Sequence, residues 1–136
     1  MDSTRLFAIL SWILLPTVMF GGYSLLTLLV QKKATWFSAE RAQFFRAGHA
    51  HAGVLLVLSL VYYAYLAQTT LSEGLKFVAC LVLLIGILAQ SGGFFLHMLV
   101  GKPGRLSVGN LVTIGGAILL ALATLFLAYG LINAHV

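Results

Sequence analysis

Apolar residues run along this chain in four long stretches separated by short polar ones, at residues 6–30, 48–67, 75–100 and 106–132. An α-helix needs about 20 apolar residues to cross the hydrocarbon core of a bilayer, and each stretch supplies that length. The stretches are apolar on every face and do not alternate, which excludes the strands of a membrane β-barrel. The pattern therefore predicts an all-α integral membrane four-helix bundle over residues 1–136, one transmembrane domain with no second domain and no internal repeat. Pro16 and the pair Gly21-Gly22 interrupt the first stretch and predict a kink there. The connections at 68–74 and 101–105 are short, so the second and third spans, and the third and fourth, are expected as antiparallel neighbours. Lys102-Pro103-Gly104-Arg105 reads as a tight turn. The first connection, 31–47, is longer. Its part from 38 to 47 is helix-forming, with Ser38 placed as an N-cap, and it is expected to carry the second helix beyond the membrane. The first stretch is too long for a secretory signal and no small-residue cleavage site follows it, so it is expected to remain as a span.

Composition changes the picture only by making it firmer. The chain is 61% hydrophobic and 8% charged, whereas a soluble domain carries roughly 25% charged residues. None of the eight basic and three acidic residues falls in the middle of a long apolar run. Lys32, Lys33, Arg41, Arg46, Lys102 and Arg105 lie in or beside the first and third connections; Arg5 and Lys76 lie on the other side. Basic residues concentrate in cytoplasmic loops, which puts both termini on the outer face. This bias also accounts for the net charge of +5 without nucleic acid, for which no basic stripe with interleaved aromatics exists. The single cysteine, Cys80, sits deep in an apolar run and reads as a small core residue.

Candidate chemistry gathers at the basic side of the bundle. His49 and His51 open the second span and His97 closes the third, whereas His135 reads as a solvated tail residue. Ionisable groups within a span are costly and point to function. Residues two apart on a helix diverge by about 200°, so His49 and His51 cannot ligate one metal from an unbroken helix. Gly86, Gln90, Gly93 and His97 form one stripe on the third span, and Gly109, Thr113 and Gly116 another on the fourth, with Asn110 adjacent. Small residues let helices, or a flat ligand, approach closely. Tyr62, Tyr63 and Tyr65 read as an aromatic belt at the outer interface. The only acids are Asp2, Glu40 and Glu73, so a Ser-His-Asp or Cys-His set is excluded, and with no carboxylate in a span a proton relay is a weak reading. A zinc site would want cysteines or more histidines. Haem needs one or two histidines and a flat apolar slot, and the composition suits it better.

The run Arg46-Ala47-Gly48-His49-Ala50-His51-Ala52-Gly53 resembles the haem-ligand region of bacterial styrene oxide isomerases, small four-span membrane enzymes with an Arg-Ala-His-Ser-Gly motif at this place. Ala50-His51-Ala52-Gly53 matches that core best. Gly92-Gly93-Phe94-Phe95-Leu96 is similar to the same family's Gly-Phe-Tyr-Leu segment. The resemblance spans residues 46–132 in layout and these two motifs in sequence. It implies a homotrimer in the bacterial inner membrane, laid out like the MAPEG group of trimeric four-span enzymes, with haem b at the subunit interfaces. It implies ferric haem acting as a Lewis acid on an epoxide or similar small lipophilic substrate, which leaves as an aldehyde. Under the resemblance His51 is the iron ligand, with His49 as the alternative if the motif shifts by two. Gly93 and Asn110 would line the cofactor, and Phe95, His97 and Gln90 the substrate. Two departures stand out: the family's span-three tyrosine falls on Phe95, and an asparagine that follows its ligand falls on Val57. The rival expectations are an electron-transfer cytochrome with His51 and His97 as paired ligands, and a non-catalytic accessory subunit of a larger membrane complex.

Overall fold

The computed structural model describes residues 2–31, 36–102 and 104–135, the side chain of His135 excepted. Four helices account for nearly all of them: α1 (Ser3–Gln31), α2 (Ala39–Leu66), α3 (Glu73–Val100) and α4 (Val108–His135). All four are long and apolar enough to cross a membrane, and they cover the four apolar stretches. Each begins on a side chain that satisfies free backbone N–H groups of the first turn. The Asp2 carboxylate accepts from the Arg5 N–H at 2.7 Å, and Ser38 accepts from the Arg41 N–H at 3.3 Å. Ser72 accepts from the Leu75 N–H at 3.5 Å, and Ser107 accepts from the Gly109 N–H at 3.1 Å. Ser38 is thus the N-cap the sequence predicts, and α2 begins at Ala39, ahead of the apolar stretch, over the segment expected to extend it. The Arg105 N–H donates to the Lys102 carbonyl at 3.1 Å, and Gly104 takes φ +67°, the left-handed turn conformation that glycine tolerates best. Pro103, Lys32 and Lys33 lie outside the described residues. Pro16 sits inside α1 without ending it.

The helices pack in chain order, with α3 as the hub. α3 lies most extensively against α4 and next against α2; α1 lies mainly against α2, and α1 and α4 do not touch. The α3–α4 contact is backbone against backbone. A Cβ on Gly93 would fall on Thr113 and the Gly109 carbonyl; one on Gly109 would meet the backbone of His97; one on Gly116 would meet that of Gln90. The two small-residue stripes seen in the sequence therefore face each other and serve helix association.

The buried core gathers toward the end that holds the termini: Phe7, Leu56, Tyr62, Tyr63, Leu66, Cys80, Leu83 and Ile87. Tyr62 and Tyr63 are 5% and 2% exposed, and of the three tyrosines only Tyr65 faces outward. The aromatic-belt expectation fails for the first two. The Tyr62 hydroxyl donates to the Ala123 carbonyl at 3.0 Å, and the Tyr63 ring packs on Phe7 at 6.1 Å between centroids. Ser59 donates to the Leu56 carbonyl at 2.7 Å, so the 2.9 Å bond between the Ser11 and Ser59 hydroxyls is donated by Ser11. The outward faces carry large apolar side chains, among them Phe20, Val54, Leu111 and Leu125, as a lipid-facing surface requires.

Candidate functional site

The three span histidines lie near the end of the bundle that holds Arg41, Arg46, Lys102 and Arg105. There they occupy three separate places.

His51 lies on the side of α2 turned to Phe94. Its Nδ1 is 2.7 Å from the Ala47 carbonyl one turn back, and its ring lies 4.8 Å from that of Phe94, tilted 35°. A carbonyl only accepts, so in the neutral ring Nδ1 carries the proton and Nε2 carries the lone pair. His51 is half-buried and borders a shallow cavity of about 200 Å³ with Ala50, Val54 and Leu55.

His49 points the other way, as the 200° divergence predicts, and meets α1. Its imidazole rests on the pair Gly21-Gly22, where a Cβ would stand 3.4 and 3.0 Å from ring nitrogens. Phe45 lies 6.5 Å from the His49 ring and crosses Phe95 edge-on at 5.3 Å. His49, Phe45 and Phe95 together line a cavity of about 230 Å³ between α1, α2 and α3.

His97 is buried, 8% exposed, and ties α3 to α4. Its Nδ1 lies 2.7 Å from the Ser107 hydroxyl. The Ser107 N–H donates to the Asn110 side-chain oxygen at 2.8 Å, which completes a reciprocal cap on α4. The other edge of the imidazole, Nε2 and Cε1, presses on Gly101, and Phe44 covers its face at 4.2 Å. His97 also borders a cleft of about 300 Å³ with Glu40, Arg41 and Trp36. In that cleft Arg41 donates to the Trp36 carbonyl at 2.7 Å and lies over the Trp36 ring at 5.8 Å.

The remaining candidates fall elsewhere. Gly93 faces α4 at helix-contact distance, and no room for a flat ring is left at it. The Gln90 carbonyl accepts a long bond from Thr113, 3.5 Å, and its side chain makes no hydrogen bond among the described residues. Asn110 serves the α4 cap. Among the described residues no group of three His, Cys, Asp or Glu side chains converges.

Sequence reasoning did not single out Ser107, Phe44, Phe94 or the contact of Gly21-Gly22 with His49. Ser107-x-x-Asn110 carries a readable cap spacing; the other contacts join residues far apart in the chain and leave no local signal. The chain matches no protein-family model, no curated protein and no solved structure. Fold and geometry define an all-α four-helix bundle whose helices are all long and apolar enough to cross a membrane.

Proposed function

We propose that this chain is a haem b-binding membrane isomerase in which His51 ligates the iron. The observation that carries the reading is the 2.7 Å bond between His51 Nδ1 and the Ala47 carbonyl. It fixes the tautomer, leaves Nε2 as a lone pair and makes that nitrogen more basic, as second-shell partners of metal-bound histidines do. The donor set fits one axial haem ligand. His49 fits less well, because its ring is held between the glycine pair and Phe45.

The cavity beside His51, about 200 Å³, is smaller than the roughly 300–1,000 Å³ that encloses a drug-sized ligand. On this reading a second copy of the chain completes the slot, as in the homotrimer the resemblance implies. Arg41, Arg46, Lys102 and Arg105 at one end, against Arg5 and Lys76 at the other, support a topology with both termini outside and a place in the bacterial inner membrane.

His51 would hold the haem, which when bound would supply a Lewis-acidic centre for a small lipophilic epoxide. The chain's own residues shape what can follow. Ala50, Val54, Leu55 and Phe94 hold no titratable group, so they exclude water and neither give nor take a proton. A rearrangement that shifts hydride within the substrate and needs no external proton, epoxide to aldehyde, is the chemistry these surroundings permit. A paired ligation through His51 and His97 has less support, because Ser107 and Gly101 already occupy the two edges of the His97 ring.

Haemin titration into the purified protein tests the reading. The expected result is a saturable Soret band with the spectrum of a five-coordinate high-spin ferric haem, lost in His51→Ala and kept in His49→Ala. A six-coordinate low-spin spectrum abolished by His97→Ala would replace it with the electron-transfer reading. No haem uptake at all would sink it.

A further inference from the structure

The cavity between α1, α2 and α3 has a chemistry of its own. Its walls are almost wholly apolar, with Leu14, Val18 and Leu88 opposite the Phe45 and Phe95 rings. Three polar side chains reach it: Thr17, His49 and Ser91. Two of them have already spent their protons. The Thr17 hydroxyl donates to the Leu14 carbonyl at 2.6 Å, and the Ser91 hydroxyl donates to the Ile87 carbonyl at 2.6 Å. The His49 imidazole alone makes no hydrogen bond among the described residues, and as a neutral ring it offers one donor and one acceptor. No Lys, Arg, Asp or Glu lines the space.

Access comes from the side. The buried residues of α1 are Thr4, Phe7 and Ser11, all in its first third. From Trp12 to Gln31 α1 covers the cavity without burying a residue of its own. This thinly packed side of the cavity is the route by which a solute dissolved in the bilayer would reach His49. The volume, about 230 Å³, exceeds the roughly 150 Å³ of apolar space that admits benzene.

From this geometry we propose that the cavity is a binding site for an uncharged, lipid-soluble molecule about the size of a substituted benzene. The molecule carries one polar group, such as an alcohol, phenol or epoxide oxygen, that hydrogen-bonds to His49. The site is separate from His51 and does not depend on haem binding.

A diazirine-bearing benzyl alcohol, photoactivated with the full-length protein in lipid nanodiscs and mapped by mass spectrometry, tests it. Labelling is expected to saturate and to concentrate on residues of the cavity such as Phe45, Leu88 and Phe95. Ala52→Phe, which places a ring in the space, should abolish the saturable labelling. His49→Leu, which keeps the walls apolar, should raise the half-saturating concentration about fivefold, the effect of losing one neutral hydrogen bond. Benzyl alcohol should compete, toluene more weakly, and benzyltrimethylammonium not at all. His51→Ala should leave the labelling unchanged, which keeps this result independent of the haem reading. Non-saturating labelling spread equally over the lipid-facing residues of α4 would overturn the proposal. So would an unchanged half-saturation in His49→Leu in a preparation whose elution profile and melting match the native protein.

Discussion

At the scale of single residues, the three histidines illustrate what a sequence pattern can and cannot carry. Hydropathy and helical spacing place His49, His51 and His97 near one end of the bundle and send the first two to opposite sides of α2. Which neighbour each one meets depends on how α2 and α3 rotate against the other helices, and nothing local encodes that. The tyrosines show the same limit. In a membrane protein both the core and the lipid-facing surface are apolar, so adjacent Tyr62 and Tyr63 look alike whether they anchor an interface or fill the core. The buried position of Tyr62 has a measurable consequence: Tyr62→Phe removes its bond to the Ala123 carbonyl and should destabilise the bundle by about 1 kcal/mol. Unfolding in mixed micelles would read this. Tyr65→Phe, at an outward-facing position, should change stability by less than about 0.5 kcal/mol.

At the scale of elements, one helix start was legible, that of α2 at Ser38, because a serine before a helix-forming run has a direct backbone role; the caps at Asp2, Ser72 and Ser107 were not read from the sequence. Ser107 does more than cap. Its hydroxyl also meets His97, so the end of α3 and the start of α4 share one polar anchor across a short turn. Ser107→Ala should cost about 1–2 kcal/mol, and Ser107→Asp, which keeps a capping oxygen, should recover part of it. Thermal unfolding of the two variants side by side would show the difference. The α3–α4 seam sets a steric demand of another kind. Gly109→Val would press a branched side chain into the His97 backbone and should separate the helices, with a loss exceeding about 3 kcal/mol. At the start of α1, the Arg5 N–H and the Thr4 hydroxyl hold the Asp2 carboxyl below the usual carboxylate range. A lowered folded-state value means that this contribution is present above the unfolded value and is lost as pH falls through the folded one. Protection of the first-turn amides of α1 against exchange, measured relative to the intrinsic rate, should therefore fall below about pH 4, and Asp2→Asn should remove most of that dependence.

For the whole molecule, the four-span architecture was legible from apolar length alone, and the order of packing partly so. Short connections required α2 beside α3 and α3 beside α4; they did not say that α1 and α4 stay apart. The topology proposed from the basic residues can be checked with the chain's own chemistry, since its one thiol, Cys80, is buried and should stay silent. Thr70→Cys and Lys102→Cys place new thiols at exposed positions of opposite connections. An impermeant maleimide applied to intact cells should label the first and spare the second. The reverse pattern would invert the orientation.

The hub position of α3 also bears on how the molecule comes into being. Helices enter a membrane in the order of synthesis, so α1 and α2 arrive before the helix that most of the packing requires. Their early contact runs from the Ser11–Ser59 hydroxyl bond to the meeting of His49 with Gly21-Gly22, but it buries only Thr4, Phe7 and Ser11 of α1. Until the third helix follows, the nascent pair is a loosely pinned hairpin, and the chain commits to its final arrangement only when α3 and α4 close together along their glycines. A ribosome stalled after α2 would thus leave a product that quality-control proteases can recognise, whereas one stalled late in α4 would leave a nearly finished bundle.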